Sequence, residues 1–379
     1  MKILCITSRV PWPLEKGDKL RAFHQLKHLA KRHEVFLFAL TDEPLHPDAM
    51  GELKKFCKNV HVHHHSKLRS GINLLNGLFN GLPFQVAYFS SKSGFAAVKS
   101  FYEKILPDAV YCQLIRTAEY RKVLPKDVSS VIDYMDVFSK GVERRIPKVP
   151  FYFRWLFRME WGRLMNYERE VYSHFNGHTV ISEQDRDLLP IEEHSTITIV
   201  PNGVDLSYFK ADGSRVKEFD LLFNGNMNYP PNVESAVFLV KEVMPVVWRK
   251  KPEARLLISG ANPSQEIRAL AGEKVVVTGW VDDVRDSFNR SRILIAPMKS
   301  SIGLQNKLLE AMAMGLPCIT TELSNNALGA KPGEEIIVAE TADSFAKEVL
   351  NLLDDKGKSK NIADNALRLV AARFDWEAF

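Results

Sequence analysis

Residues 293–317 read ILIAPMKSSIGLQNKLLEAMAMGLP, and this stretch decides the fold class. Its first four residues are a continuous apolar run, which is typical of a strand buried on both faces of a parallel sheet. From Asn306 onward, the spacing of apolar residues predicts a helix. A buried strand, a loop containing Gly303 and a helix together make one βα unit of a doubly wound α/β domain.

Similar apolar runs occur on both sides of this stretch, and the series is interrupted once by a loop-rich segment. The runs predicted as strands are 3–6, 35–40, 109–111, 131–133, 179–181, 221–223, 255–259, 275–278, 293–296, 318–321 and 336–339. A second helix is predicted over 233–250. Because the series restarts after the interruption, the 379 residues are predicted to form two Rossmann-like domains.

The predicted boundaries follow from that interruption. Residues 1–190 form the N-terminal domain, 191–218 a linker region, and 219–357 the C-terminal domain. Residues 358–379 form a helix that returns toward the N-terminal domain. Since open α/β sheets bind ligands at the carboxyl ends of their strands, we expect the site in a cleft where two such edges face each other.

Composition limits the class of protein further. Hydrophobic residues make up 45% and charged residues 26%, as in a soluble globular protein. The four cysteines have no CxxC spacing, which favours a reducing compartment. The N-terminus is interpreted as a strand and not as a signal peptide, and no apolar stretch reaches the ~18 to 20 residues that cross a bilayer.

Charge is distributed unevenly around a net value of +5. The first 185 residues carry nine more basic than acidic residues, which suggests either anionic ligands or an anionic membrane surface. Within 140–170, basic residues alternate with aromatic residues, as in an interfacial helix. The alternatives stay open: a solvated basic face, and a long helix whose aromatic residues face the core. The apolar stretch 71–89 adds to the membrane interpretation.

The helix predicted from Asn306 contains the residues best suited to bind a phosphorylated ligand. A glycine at a strand-to-helix turn lets backbone N–H groups face a phosphate, and the start of the helix adds partial positive charge. Lys307 lies in the first turn, where a cation gains nothing from the helix dipole, so a ligand role is favoured. Glu310, one turn later among apolar residues, could accept hydrogen bonds from two ribose hydroxyls.

Taken together, SIGLQNKLLEAMAMGLPCITT (301–321), LLFNGNMNYPPN (221–232) and PNGVD (201–205) resemble the retaining glycosyltransferases of family 4, which have the GT-B fold. The whole chain looks most similar to sugar transferases associated with bacterial exopolysaccharide and PEP-CTERM systems. The resemblance implies sugar transfer from a nucleotide diphosphate donor, held by the C-terminal domain, to a hydroxyl acceptor held by the N-terminal domain.

The resemblance assigns site residues, with several departures. Glu310 matches the second Glu of the family's Glu, seven residues, Glu motif, while Ile302 stands where the first Glu is expected. No basic residue follows Gly225 before Asn232, and the family's strand histidine is absent too. Lys307 is the candidate replacement for the missing cations. The predicted ligands of the donor diphosphate and ribose are Gly17, Lys19, Arg21, Gly225, Gly303, Leu304, Gln305, Asn306, Lys307 and Glu310.

Three further roles complete the predicted site. Gly279, Trp280 and Val281 lie where the family's nucleotide base usually packs. Asp136 is the candidate acceptor base, so the predicted catalytic residues are Asp136, Lys307 and Glu310. The histidines between 61 and 65 are not expected to bind a metal, because a strand sends alternate side chains to opposite faces. No cofactor or metal is expected.

The sequence therefore predicts a GT-B glycosyltransferase, of retaining type, that takes a nucleotide-sugar donor and a saccharide or lipid-linked acceptor in exopolysaccharide or related glycan biosynthesis. Its expected location is cytoplasmic, either free or peripheral on the inner face of the membrane. Two alternatives stay open: a nucleotide-sugar 2-epimerase of the same fold, and a non-catalytic nucleotide-sugar-binding scaffold. A nucleic-acid partner is ranked last, because no recognised motif is present.

Overall fold

The computed structural model describes residues 1–66, 71–74, 77, 81–299 and 303–376. It divides the chain into two compact units, Met1–Pro201 (unit 1) and Asn202–Phe379 (unit 2). Each unit is built on a parallel sheet with helices between the strands. The predicted α/β class with two Rossmann-like domains is thus confirmed.

Unit 1 contains a sheet of seven described strands. The strands are β1 (Lys2–Thr7), β2 (Glu34–Thr41), β3 (Asn59–His64), β4 (Ala109–Gln113), β5 (Ser129–Met135), β6 (Gly177–Val180) and β7 (Ile197–Ile199). The helices are α1 (Gly17–Leu29), α2 (Ala49–Lys54), α3 (Phe84–Phe89), α4 (Lys92–Ile105), α5 (Ala118–Arg121), α6 (Phe138–Glu143), α7 (Arg154–Tyr172) and α8 (Glu183–Leu188). The strand order is β3-β2-β1-β4-β5-β6-β7, so the direction of winding reverses between β1 and β4. Ligands of doubly wound sheets bind beyond the carboxyl ends of the strands at such a reversal.

Unit 2 repeats the plan with six described strands. The strands are β8 (Phe219–Asn224), β9 (Leu256–Ser259), β10 (Val275–Val277), β11 (Ser291–Ala296), β12 (Cys318–Thr320) and β13 (Ile337–Val338). The helices are α9 (Pro230–Phe238), α10 (Met244–Lys250), α11 (Gln265–Arg268), α12 (Val284–Asn289), α13 (Asn306–Ala313), α14 (Glu322–Leu328), α15 (Ala342–Asp354) and α16 (Lys356–Arg373). The order β10-β9-β8-β11-β12-β13 reverses between β8 and β11. Residues 293–317 contribute β11 and α13, which lie at this reversal.

Two local features differ from the sequence expectations. The single helix predicted over 233–250 consists of α9 and α10 joined by a π-helical turn at Leu239–Val243. Pro245 in the first turn of α10 has no N–H group to donate. The wider π-helical turn before it accommodates the hydrogen bond that proline cannot make. In addition, Ile197–Ile199 within the predicted linker form β7, which pairs with β6. The return of the C-terminal helix toward the first domain stays a prediction.

The sheet of unit 1 is tied together by a buried ion pair. Arg21 on α1 donates from Nε to Oδ2 of Asp133 at 2.6 Å and from Nη2 to Oδ1 at 3.0 Å, and both side chains are fully buried. The same carboxylate accepts hydrogen bonds from Tyr111 on β4 and Thr179 on β6. Burial alone would raise the pKa of Asp133, but the guanidinium and these hydroxyls hold that pKa below its ordinary value. One carboxylate therefore joins a helix to three neighbouring strands.

We expect Asp133→Ala to lower the free energy of unfolding of unit 1 by about 3 to 5 kcal/mol, because it leaves the Arg21 guanidinium buried without its counter-charge. Glu218→Ala is the control, since it breaks an ion pair with Arg290 in which both side chains are about two-fifths exposed. That loss should be about 1 kcal/mol or less. Calorimetric unfolding of both variants measures the difference, and equal losses would contradict the role given to Asp133.

Candidate functional site

Three glycines bring the loops after β8, β9 and β10 into backbone contact in unit 2. Gly225 donates its N–H to Ser259 O at 3.0 Å, and Gly260 donates its N–H to Gly279 O at 3.0 Å. A Cβ atom on Gly260 would lie 1.9 Å from Gly225 O, and the φ of Gly260 is 137°. Only glycine fits there. These loops therefore form a compact floor at the carboxyl edge of the sheet.

Lys307 reaches this floor from the first turn of α13. Its Nζ atom donates to Asn232 Oδ1 at 2.8 Å and lies 4.5 Å from the centre of the Phe223 ring. A Cβ atom on Gly225 would lie 3.1 Å from the same Nζ atom. The structure thus brings together two predicted donor ligands, Lys307 and Gly225, from the two sides of the reversal between β8 and β11.

Burial perturbs the two titratable groups of α13 in opposite directions. It lowers the pKa of Lys307 from 10.5 to about 7, and the nearby Glu310 carboxylate opposes that shift. It raises the pKa of Glu310 from 4.5 to about 7, against the effects of Lys307 and a hydrogen bond with Asn224. Neither group is firmly charged at neutral pH, so an anionic ligand beside Lys307 would stabilise its protonated form.

The start of α13 has no side-chain cap from its N-cap residue, Gln305. Asn306 Oδ1 accepts a hydrogen bond from Asn202 Nδ2 at 3.0 Å. Gly303 has a φ of 76°, a left-handed conformation that favours glycine, and Leu304 is buried. An uncapped helix start presents N–H groups and partial positive charge. Ile302, which stands in place of the family's first Glu, lies outside the described residues.

The residues expected to hold the nucleotide base follow β10 at the same edge. Gly279 has a φ of 73°, and its carbonyl contacts Gly260 as described above. Trp280 is 58% exposed, and Val281 is partly exposed. An exposed tryptophan at a strand end offers a flat face on which a base can stack.

The remaining predicted donor ligands lie in unit 1, and their environments differ. Gly17 begins α1, and Lys19 is buried with its Nζ atom 3.2 Å from Glu15 Oε1. Arg21 is held in the core by Asp133, away from any surface that a donor phosphate could reach. The prediction of Arg21 as a donor ligand is therefore corrected: its guanidinium binds Asp133 inside the core.

A polar pocket of about 230 Å³ lies beside Lys19 at the carboxyl ends of β1 and β2. Its lining includes Arg9, Trp12, Glu15, Lys19, Asp42 and His46. A mixture of carboxylates, cations and an indole suits a polyhydroxylated ligand, because hydroxyl groups can both donate to and accept from such neighbours.

Asp136 follows β5 at the same edge of unit 1. The register of β5 shifts between Asp133 and Met135, and Met135 has a φ of 64°, which is unusual for a residue with a side chain. Burial and, to a smaller extent, the Asp185 carboxylate together raise the pKa of Asp136 to about 7. Burial also raises the pKa of Asp185 to about 6. Because the negative charge of Asp185 disfavours ionisation of Asp136, the two carboxyl groups titrate as a pair near neutral pH.

Two histidines of β3 pack on an aromatic ring. The rings of His61 and His63 stack on Phe38, with centroids 5.1 and 6.1 Å from its ring. In the described part of the chain, no group of three His, Cys, Asp or Glu residues is arranged to hold a metal ion. The expectation that no metal is needed stays a prediction.

Two other sequence expectations concern thiols and membrane spans. The four cysteines are buried with free thiols, as expected for reduced residues that pack in apolar surroundings. Among the described residues, no helix has the length and apolar character that crossing a membrane requires.

The sequence analysis did not identify the polar residues that contact the predicted site residues. Asn232 binds Lys307, Asn224 contacts Glu310, and Asn202 contacts Asn306. Asp185, which perturbs Asp136, was also missed. The sequence did contain a signal for Asn224 and Asn232. The segment LLFNGNMNYPPN has four asparagines at and after the end of a strand, which is more than capping the turn requires.

With this geometry established, comparison with known proteins assigns the class. Residues 218–355 match the family model described as glycosyl transferases group 1. The chain is 23% identical to an uncharacterized 44.6 kDa protein in the cps region of Klebsiella pneumoniae, over 99% of this chain and 96% of that protein.

Solved structures share the fold along the whole chain. Sucrose-phosphate synthase from Thermosynechococcus elongatus is 15% identical, with a TM-score of 0.72 over 100% of this chain and 96% of that one. HepE of Anabaena in complex with UDP is 14% identical, with a TM-score of 0.69 over 100% and 97%.

The protein is therefore a glycosyltransferase of GT-B fold, and its match to glycosyl transferases group 1 lies within the second unit. This confirms the predicted fold and enzyme class. Membership of family 4 and the role of each site residue stay predictions.

Proposed function

We propose that unit 2 binds a nucleotide diphosphate sugar at the start of α13, with Lys307 beside the diphosphate and Glu310 on the ribose hydroxyls. The observation that carries this is the burial of Lys307 against the glycine floor, with its pKa lowered to about 7. A buried amine of this kind becomes fully charged when an anion replaces the missing solvation. The binding of UDP by HepE supports a donor of the same class.

Stabilisation of the departing diphosphate is the main catalytic contribution in this proposal. Charge develops on the leaving phosphate as the bond to the sugar breaks, and fixed N–H groups and Lys307 offset it without reorganisation. The proposed N–H donors are those of Gly303 and Leu304. The base stacks on Trp280, which is exposed at the end of β10.

The acceptor is proposed to bind unit 1 in the pocket lined by Arg9, Trp12 and Asp42. Asp136 holds the acceptor hydroxyl and takes its proton as the oxygen attacks the anomeric carbon, and the nucleoside diphosphate leaves. The family resemblance favours retention of the anomeric configuration, which in this single displacement requires the acceptor oxygen to attack from the face that the diphosphate leaves. The cps-region relative supports a role in polysaccharide biosynthesis, with a saccharide or lipid-linked saccharide as acceptor. A lipid-linked acceptor would bring the enzyme to the inner face of a membrane.

Lys307→Met should lower kcat/KM for a nucleotide sugar at least about a hundredfold, because the leaving diphosphate loses its cation. The melting temperature should be unchanged or higher, since a buried amine is replaced by an apolar chain of similar length. Glu310→Gln should lower kcat/KM about tenfold, mainly through KM. The assay monitors sugar transfer from a panel of nucleotide sugars and identifies the product anomer by nuclear magnetic resonance.

Lys347→Gln, on the exposed face of α15, is the matched control and should retain full activity. If Lys307→Met and Glu310→Gln turn over like wild type, the proposed role of α13 is wrong. A C2 epimer formed without acceptor would assign the protein to the epimerases. Nucleotide-sugar binding without any product would assign it to the scaffolds.

The pH dependence tests Asp136. Since the carboxylate is the active form and its pKa is raised to about 7, the pH profile of kcat/KM should have an ascending limb near 7, and deprotonation of Lys307, whose pKa is also about 7, should give a descending limb above it. Asp136→Asn should remove the ascending limb and lower kcat/KM by about 10²- to 10⁴-fold. The measurement is kcat/KM from pH 5 to 9 under conditions in which all variants remain folded.

Asp185→Asn provides the comparison, because it removes the like charge that raises the pKa of Asp136. In Asp185→Asn, the ascending limb of the pH profile of kcat/KM should move to lower pH, and activity should be retained. An ascending limb that persists unchanged in Asp136→Asn would assign the proton to the departing diphosphate instead.

A further inference from the structure

Four exposed aromatic side chains are concentrated at the start of α7. Phe151, Tyr152 and Phe153 form a 3₁₀ turn before the helix, and Trp155 lies in its first turn. Their exposed fractions are 79%, 56%, 49% and 63%. We call Phe151, Tyr152, Phe153 and Trp155 the aromatic patch. Since exposed large apolar residues normally occur singly, such a concentration indicates an interaction surface.

The rest of α7 is anchored, so the aromatic patch is presented by a fixed support. Leu164, Tyr167 and Val171 are buried in the core of unit 1, and Phe157 and Trp161 pack against that core. The alternative in which the aromatic residues of 140–170 face the core therefore holds for Phe157 and Trp161. The aromatic patch lies beyond the part of the helix that the core covers.

A second element holds the same helix. Glu160 accepts a hydrogen bond from the N–H of Phe84 at 2.9 Å, and Arg163 donates to Gly77 O at 2.8 Å. The apolar stretch 71–89 therefore contacts the middle of α7, and Ile72 within it is 52% exposed. Residues 75–76 and 78–80 of that stretch lie outside the described residues.

The aromatic patch is surrounded in sequence by positive charge alone. Residues 144–159 contain five basic residues and no Asp or Glu. Arg145, Lys148 and Arg158 are exposed, and Arg154 folds back to donate to the carbonyl of Pro147 at 3.3 Å. We call the exposed side chains of Arg145, Lys148 and Arg158 the basic rim of the aromatic patch.

We propose that the aromatic patch and its basic rim are a docking surface for a membrane that contains anionic lipid. Tryptophan and tyrosine favour the boundary between lipid headgroups and acyl chains, where the ring is buried and its polar atom stays hydrated. Each basic side chain near anionic lipid strengthens binding about fivefold. An anionic lipid surface thus complements both the aromatic side chains and the basic rim.

A second copy of the chain fits this surface poorly. A two-fold dimer through the patch would place the same basic residues of both copies against each other, and like charges at close range oppose association. An anionic bilayer supplies the compensating charge. The inference extends the proposed function, because a lipid-linked acceptor would lie at the surface on which unit 1 docks.

The test is flotation of the full-length protein with phosphatidylcholine vesicles, with and without phosphatidylglycerol, in the absence of substrate. Wild type should bind the anionic vesicles selectively, and salt should weaken binding. The double variant Arg145→Gln and Lys148→Gln should bind about 25-fold more weakly, given about fivefold for each charge. Phe151→Ser with Trp155→Ser should bind at least about tenfold more weakly.

Two controls match these variants in exposure. Val216→Ser removes a 75% exposed apolar side chain from unit 2, and Lys55→Gln with Lys347→Gln removes two exposed charges elsewhere. Both should bind like wild type. All four variants change exposed side chains, and unchanged melting temperatures confirm that they fold.

Three results would overturn the inference: equal binding to neutral and anionic vesicles, patch variants that bind like wild type, or a doubled mass by light scattering that the aromatic variant abolishes. The last would assign the surface to a second copy of the chain. Failure of the proposed function is distinguishable, because vesicle binding is measured without turnover. A protein that docks selectively but transfers no sugar would retain this surface and lose the catalytic assignment.

Discussion

The site in unit 2 depends on one buried amine. The Nζ atom of Lys307 lies between Asn232 and the Phe223 ring, where water cannot solvate its charge. Burial lowers its pKa to about 7, and Glu310 one turn later only partly compensates. This arrangement costs stability unless an anion arrives, which is why we assign it to the diphosphate of the donor. The glycine floor matters for the same reason, because a side chain at Gly225 would occupy the space beside that amine.

Both units place their candidate residues where the winding of the sheet reverses or close to it. In unit 2 the reversal lies between β8 and β11, and the loops after these strands contribute Gly225 and the start of α13. In unit 1 it lies between β1 and β4, and the pocket and Asp136 lie at the carboxyl edge of the same sheet. The fold thus explains where the sites are, while the side chains decide what they bind.

Much of the fold could be predicted from the sequence, because strands buried on both faces are written as continuous apolar runs. Short or edge strands such as β7 carry too weak a pattern. Spacing predicted Lys307 and Glu310, since both lie on one short helix. Spacing could not predict that Lys307 contacts Asn232, 75 residues away in sequence. It also could not predict that Arg21 forms a buried ion pair with Asp133, because both contacts depend on tertiary packing. Exposure of the aromatic patch was equally beyond reach, since an amphipathic pattern does not say which part of a helix the core covers.

The most direct test of the central claim is calorimetric titration with a nucleoside diphosphate near pH 8 in buffers of different ionisation enthalpy. With a pKa of about 7, Lys307 is mostly neutral at that pH, so anion binding should draw a proton onto it. We expect an uptake approaching one proton for each nucleotide bound, and Lys307→Met should abolish that uptake. Tight binding with the same proton uptake in the variant would contradict the account, because the diphosphate would then be held by other groups.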